Sequence, residues 1–472
     1  MSDARTTTSM RAALLGLAVA SACRGAAVGD EMEASRIGVQ PVPVQVLAPP
    51  LADPERAEAV AVEEGDGEVA LAGATPVPET EPPEDAIEDD DALAAPIEDP
   101  TGQALAGFHA ALARTEAKEP GAITRVLHMG DSSIGLDGVP HAIRRRMQDR
   151  FGDGGAGFVL LGRYSPNYKN NAVTLEPNEG WEICYIAYLC RGDGRYGLGG
   201  HSFRASGGAK TILRTKTAGA YGRAVSRFEL WYTAQPAGGR VRLRIDRGEP
   251  EILDTRHDAV EERWHEVRLD PGPHSFTVEA VGGGRVNLYG AVLETDGPGV
   301  VWDTVSMIGA FTKRLHGYAD DHIARQVAHR DPDLLVLSYG GNDLRRFVSR
   351  SADADTYKEE YRQVIRKLRA GKPSMSCLVI SVIDHGRSGT LDVEPRHTET
   401  MVRAQREVAF EEGCAFFDSV AAMGGPGSLR RWLQQTPRLA EPDLKHLNHR
   451  GRDRMGEMIF EALVARYARR GA

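Results

Sequence analysis

The chain has 472 residues, 41% hydrophobic and 26% charged, with a formal net charge of −10, which is long enough for two globular units plus tails. Five cysteines in that length do not make a disulfide scaffold, and no Cys-x-x-Cys or His-x-x-x-His spacing offers a metal site. No apolar run reaches a membrane-spanning length.

At the N-terminus, Arg5 and Arg11 precede an apolar run from Ala12 to Ala20, followed by Ser21, Ala22 and Cys23. A positive start, a short apolar core and small residues at a cut predict a secretory signal over 1–23. Cys23 after Ala-Ser-Ala resembles a bacterial lipobox, with Ala20 where Leu is usual. The expectation is an exported protein of the periplasm or cell surface, held to a membrane by a lipid on Cys23 and by nothing else.

Residues 24–100 are rich in Ala, Pro and Val and carry twenty acidic residues against three arginines. Such a segment cannot bury enough apolar surface to fold and reads as a disordered tether. A flexible chain of that length spans on the order of 50 Å root-mean-square. The overall acidity belongs to this tether, and the remaining body is mildly basic. Arg144, Arg145 and Arg146 fall on a predicted helix and read as a solvated face, so no nucleic-acid partner is expected.

From residue 101 the elements follow in order. A helix is predicted over Gln103–Thr115, a strand over Ile123–Met129 and a helix over Pro140–Phe151. Between about 200 and 297 come short alternating runs such as "RFELWYTA", "VRLRID" and "HSFTVEAV", separated by Gly, Pro and Asp turns. These predict an antiparallel sandwich of jelly-roll type. After 298 the pattern alternates strand and helix again. "LLVLSYGG" (334–341), "CLVISVI" (377–383) and "AFFDSV" (415–420) read as strands, with helices at 355–370, 397–412 and 451–469. Near-continuous apolar strands alternating with helices predict a doubly wound parallel sheet covered on both faces. The α/β domain thus comprises 101–199 and 298–472, interrupted by the β insertion at 200–297. Cys184 and Cys190 are close enough to pair in an oxidising compartment; Cys377 and Cys414 read as buried thiols. Trp181, Trp231 and Trp264 read as sandwich core.

In doubly wound folds functional residues collect at the C-terminal ends of strands. The first strand ends at Gly130-Asp131-Ser132, and "LLVLSYGG" runs into Gly340-Gly341-Asn342-Asp343. Asp443 and His446 stand just before the last helix. Together these residues resemble the SGNH/GDSL hydrolase family. Its first block matches Gly130-Asp131-Ser132, with Ser133 where the literal string has Leu; its third matches Gly340 to Asp343; its fifth matches Asp443-x-x-His446. The second block needs a glycine after the second strand, for which Gly309 in "VSMIGA" and Gly200 in "GLGGHS" compete. Gly309 is preferred because a strand precedes it and a helix follows. The chain looks most like the branch containing peptidoglycan O-acetylesterases, which carry a carbohydrate-binding-like sandwich in this loop.

The resemblance implies a flavodoxin-like sheet and a serine nucleophile, Ser132. His446 would be its general base and Asp443 would orient the imidazole. The backbone N–H groups of Ser132 and Gly309 and the Asn342 amide would bind the oxyanion. Asp131, Gly340 and Asp343 would support these loops. Neither a metal nor an organic cofactor is called for. His385 and His449 are rivals for the base, and His128 reads as a packed residue. The implied reaction is hydrolysis of a carboxylic, O-acetyl ester on a cell-envelope polysaccharide. The alternatives are acyl transfer or a lipase-type esterase using the same residues, or a catalytically silent scaffold that binds polysaccharide.

Overall fold

The computed structural model describes residues 96–388 and 391–469; the expected signal, Cys23 and nearly all of the acidic segment lie outside the described residues. The folded body starts slightly ahead of residue 101. Ile97 is buried, Glu98 exchanges backbone hydrogen bonds with Phe416, and the Asp99 carboxylate accepts from the Gly102 and Ala104 N–H groups.

The first α/β segment contains α1 (Ala106–Glu116), β1 (Ile123–Gly130), α2 (Gly138–Phe151) and β2 (Gly155–Val159). Ten further strands are antiparallel: β3 (Val173–Pro177), β4 (Glu182–Tyr185), β5 (His201–Ala205), β6 (Lys210–Thr215), β7 (Val225–Ala234), β8 (Arg240–Ile245), β9 (Glu251–Asp254), β10 (Glu261–Gly272), β11 (Ser275–Ala280) and β12 (Val286–Glu294). The chain then returns to the α/β pattern with β13 (Gly299–Ser306), α3 (Asp320–Arg330), β14 (Leu334–Ser338), α4 (Leu344–Val348), α5 (Ala354–Arg369), β15 (Ser376–Ile380) and a two-stranded ribbon of β16 (Arg387–Ser388) and β17 (Leu391–Asp392). The last elements are α6 (Pro395–Glu411), β18 (Ala415–Phe417), α7 (Ser419–Ala422), α8 (Ser428–Gln434) and α9 (His449–Ala468). No described helix is long and apolar enough to cross a membrane.

Five strands form a parallel sheet in the order β13-β1-β14-β15-β18. Its side chains alternate between two buried faces, as the strand period requires. Val126, Val336 and Leu378 pack with Ile143, Met147 and Ile459 of α2 and α9. Leu127, Leu337 and Val379 face the other way, onto Ile323, Val364 and Leu368 of α3 and α5. Helix α5 buries Tyr357, Tyr361, Val364, Ile365 and Leu368, an amphipathic spacing, and starts where the Asp353 carboxylate accepts from Thr356 N–H at 2.8 Å.

The antiparallel strands form two sheets, β10-β7-β12-β5-β4 with β2 added on β12, and β3-β6-β11-β8-β9. They share a core in which Phe228 of β7 stacks on Phe276 of β11 at 4.4 Å. That core is continuous with the α3/α5 face of the parallel sheet. Arg330 of α3 bridges Asp303 of β13 (2.5 Å) and Glu294 of β12 (2.6 Å), tying the insertion to the α/β body.

Four sequence expectations change. The antiparallel sheets begin well before residue 200: β2 pairs with β12, and β3 and β4 pair with β6 and β5, partners that local spacing does not specify. The third predicted strand stops at Phe417, where Asp418 caps α7 by accepting from Ala421 N–H. Cys377 and Cys414 are a disulfide rather than thiols, since parallel pairing of Leu378 with Ala415 brings the preceding residues to a Cα separation of 4.6 Å; Cys184 and Cys190 are also bonded. The arginine run is not a solvated face. Arg144 is buried against Asp137 at 2.5 Å, and Arg145 and Arg146 pair with Asp453 of α9. The tryptophans read as core are so placed: Trp181 and Trp231 are buried, and Trp264 stacks on His329 at 3.8 Å.

Candidate active site

All parallel strands present their C-terminal ends at one sheet edge, and Ser132, Gly309, Asn342 and His385 follow four adjacent strands there. His446 arrives from the turn before α9. Its Nε2 lies 2.9 Å from Ser132 Oγ, 314 residues away in sequence. Its Nδ1 lies 2.6 Å from Asp443 Oδ2. Burial works to raise the Asp443 carboxyl, but the His446 ring and the Lys445 and His446 N–H groups outweigh it and hold it down to about 2. Asp443 is therefore an ionised acceptor at neutral pH. It fixes the tautomer: Nδ1–H donates to Asp443, and the Nε2 lone pair accepts from the Ser132 hydroxyl.

Two carboxylates that the sequence assigns to support join the loops. Asp131 is buried and accepts from Ser133 N–H at 2.9 Å and Gly341 N–H at 3.1 Å, linking the loops after β1 and β14. Asp343 is buried and accepts from both N–H and O–H of Thr312 at 2.9 Å, linking the loops after β14 and β13. Burial pushes its carboxyl up to about 6, opposed by the Thr312 bonds and Arg346. Gly340 has φ +125°, and a side chain there would meet Val382 and Gln405 at 2.7 Å.

Asn342 donates one amide hydrogen to Ala310 O at 3.1 Å, which holds its side chain beside Gly309. Gly309 has φ +80° and is exposed. Among the described backbone hydrogen bonds, the N–H groups of Ser132 and Gly309 make none. Gly200, the competing glycine, is buried beneath Met307 and spends its N–H on Gly197 O at 3.2 Å. The rival bases are disposed otherwise. His385 is buried at the same edge with Nδ1 bonded to Ile383 O at 2.9 Å, and burial lowers its basicity. His449 is exposed at the start of α9. His128 is buried between Trp302, which donates to Nδ1, and Ser338, which accepts from Nε2 at 2.8 Å; burial holds it neutral, down to about 3.

Two hollows meet at Ser132 and His446. One, of about 180 Å³, is lined by Asn342, Arg345, His385, Ser338 and Lys445. The other, of about 30 Å³, is mostly apolar, between Ile134, Val139, Ile380, Leu447 and Met455. Among the described residues no group of three or more His, Cys, Asp or Glu could hold a metal ion. Arg345, Lys445 and Ser338 were not singled out from sequence. Lys445 lies inside the Asp-x-x-His block, so its place beside His446 was legible; nothing local marks the other two.

A serine hydroxyl bonded to an imidazole that is bonded to a carboxylate, at the carboxyl edge of a doubly wound sheet, is the arrangement of serine hydrolases. Residues 274–454 match the model of the GDSL-like lipase/acylhydrolase family, so the chain carries an SGNH/GDSL hydrolase domain. The matched stretch holds Gly309, Asn342, Asp443 and His446 but begins inside the β insertion. Ser132 lies outside it and joins the set only through the fold. A solved peptidoglycan O-acetylesterase shares the architecture at a TM-score of 0.65 and 22% identity, over 79% of this chain and 99% of its own. A lipase/acylhydrolase from Enterococcus faecalis (19% identity, 36% of this chain and 77% of its own) and a family two carbohydrate esterase from Cellvibrio japonicus (12% identity, 63% and 98%) superpose at only 0.28 and 0.27. No curated relative matches the sequence.

Proposed function

We propose that this protein is an exported serine esterase that removes O-acetyl groups from a cell-envelope polysaccharide such as peptidoglycan. The observation that carries the reading is the continuous chain Ser132–His446–Asp443, at 2.9 and 2.6 Å. Ser132 Oγ attacks the ester carbonyl as His446 Nε2 takes its proton. Asp443 stabilises the resulting imidazolium, and His446 returns the proton to the leaving sugar oxygen. The Ser132 and Gly309 N–H groups and the Asn342 amide receive the negative charge of the tetrahedral intermediate. Water, activated by the same imidazole, then releases acetate from Ser132.

The polar side chains of Asn342, Arg345, His385 and Lys445 around the larger hollow suit a hydrated glycan, and the small apolar hollow suits a small acyl group. Two disulfides suit an oxidising compartment. Export and a lipid on Cys23, with the acidic segment as tether, would bring the site within reach of the cell wall.

The test is acetate release by the full-length protein from O-acetylated peptidoglycan and from acetylated xylan, alongside its Ser132→Ala variant. Release that the substitution abolishes is expected, with peptidoglycan preferred. Turnover of neither polymer nor an aryl acetate, with binding retained, would replace the esterase reading by a polysaccharide-binding role.

A further inference from the structure

The inserted β sheets reach the Gly309 loop through tyrosine hydroxyls. Tyr185, the last residue of β4, donates its hydroxyl to Ile308 O at 2.9 Å. That carbonyl belongs to the same peptide group as the Gly309 N–H. The peptide is trans, so its C=O and N–H point in opposite directions within one plane. A hydroxyl holding the oxygen end therefore sets the direction of the nitrogen end. Donation to the carbonyl also polarises the group and makes its N–H a stronger donor.

A second hydroxyl holds the preceding peptides. Tyr164, between β2 and β3, donates to Ser306 O at 2.6 Å and accepts from Ile308 N–H at 3.3 Å. Both rings pack on the imidazole of His201, at the start of β5. Tyr185 stacks on it at 4.3 Å and 5°, and Tyr164 lies 3.9 Å away at 40°. His201 is fixed in turn by a 2.7 Å bond to Gly199 O. Burial raises both tyrosine hydroxyls, Tyr164 to about 12, so each remains a donor at neutral pH. Gly309 itself has nothing within 4 Å of the position a side chain would take. The loop is thus held from the side of the tyrosines. The "GLGGHS" stretch, whose Gly200 has no free N–H, supplies His201 to this clamp.

We propose that Tyr185 is a positioning residue for the ester reaction: its hydroxyl orients the Ile308–Gly309 peptide so that the Gly309 N–H faces the oxyanion. This rests on the esterase reading above. It makes the insertion part of the catalytic apparatus rather than an attached binding module.

Tyr185→Phe keeps the ring and its stacking and removes one hydroxyl. Losing a whole oxyanion donor costs about 10²–10³ in rate; losing only its support is expected to lower kcat on an aryl acetate about tenfold, with KM within about twofold. The inhibition constant for phenylboronic acid, whose tetrahedral serine adduct places an oxygen in the oxyanion position, should rise by about the same factor as kcat falls. Tyr188→Ala, which removes a half-exposed ring packed on Tyr185 without a bond to this loop, should leave both unchanged. Wild-type kcat and boronate affinity in Tyr185→Phe would overturn the inference, as would a rise in KM with kcat intact. Should Tyr185→Phe fail to fold, as judged by circular dichroism and thermal unfolding, Tyr164→Phe takes its place with the same two readouts. Activity surviving Ser132→Ala would instead sink the esterase reading.

Discussion

Replacing Asp443 by Asn exchanges one carboxylate oxygen for an NH₂ group at almost constant volume. In the native site Oδ1 accepts the N–H groups of Lys445 and His446, at 2.9 and 3.0 Å, while Oδ2 accepts Nδ1–H of His446. The amide can satisfy only one of these sides. With its oxygen toward the two backbone donors, its NH₂ faces Nδ1, which must become the acceptor. Nε2 then carries the hydrogen and cannot take the Ser132 proton. Turning the amide over restores the working tautomer but sets an NH₂ against two N–H groups. At about 1–2 kcal/mol for each bond lost, that orientation lies about 2–4 kcal/mol higher, which leaves about one molecule in 30 to 1,000 competent. The side chain is 42% exposed, so water softens the penalty, while loss of the charge beneath the imidazolium adds to it. The expected fall in kcat on an aryl acetate is about 10²–10³. Asp443→Ala imposes no donor; water can accept from Nδ1–H, and kcat should fall only about 10- to 100-fold. Steady-state kinetics of both variants at pH 8 make the comparison. Asn equal to or more active than Ala, or within threefold of the native protein, would refute this reasoning.

Two other expectations concern pH and the tether. His128 and His201 are buried and each held down to about 3, chiefly by burial. Their folded values lie below the unfolded value of about 6.5, so the unfolded chain binds more protons between about pH 6.5 and 3. Each histidine therefore stabilises the fold fully above that window, and its contribution falls by about 1.4 kcal/mol per pH unit as the solution is acidified through it. Denaturant unfolding at pH 7, 6 and 5 should show stability falling on acidification, gently above about pH 6.5 and more steeply below it, with the raised Asp343 carboxyl offsetting part of the slope; stability that does not fall between pH 7 and 5 would contradict the burial of both rings. Cys23→Ser should move the expressed protein from the membrane to the soluble fraction of the cell envelope with aryl acetate turnover unchanged. Unaltered fractionation would remove the lipid anchor from the proposal.

The parallel sheet was legible because a strand buried on both faces writes itself as a short continuous apolar run, as in "LLVLSYGG". Ser132, Asn342, Asp443 and His446 were legible because each lies in a short block whose chemistry is local: a strand end, a turn, an Asp three residues before a His. Asp131 and Asp343 could be named as supports, though not which loops they join. Strands β3 and β4, the partnership of Cys377 with Cys414, and the burial of Arg144 carry no such local mark. Each depends on a partner strand or helix that sequence spacing does not specify.

The choice between Gly309 and Gly200 shows the division most clearly. Both follow suitable short motifs, and both have positive φ, +80° and +71°. Only the folded chain shows that one N–H is spent on Gly197, while the other makes no hydrogen bond among the described residues. Likewise nothing in "EICYIAY" announces that the Tyr185 hydroxyl reaches Ile308, 123 residues on. The sequence by itself determined most of the elements and which serine, histidine and aspartate stand at strand ends and turns, because periodicity and turn chemistry act over a few residues. The tertiary structure alone decided which donors are free and which side chains hold them, because a hydrogen bond depends on positions to a fraction of an ångström, set by register and packing between segments far apart in the chain.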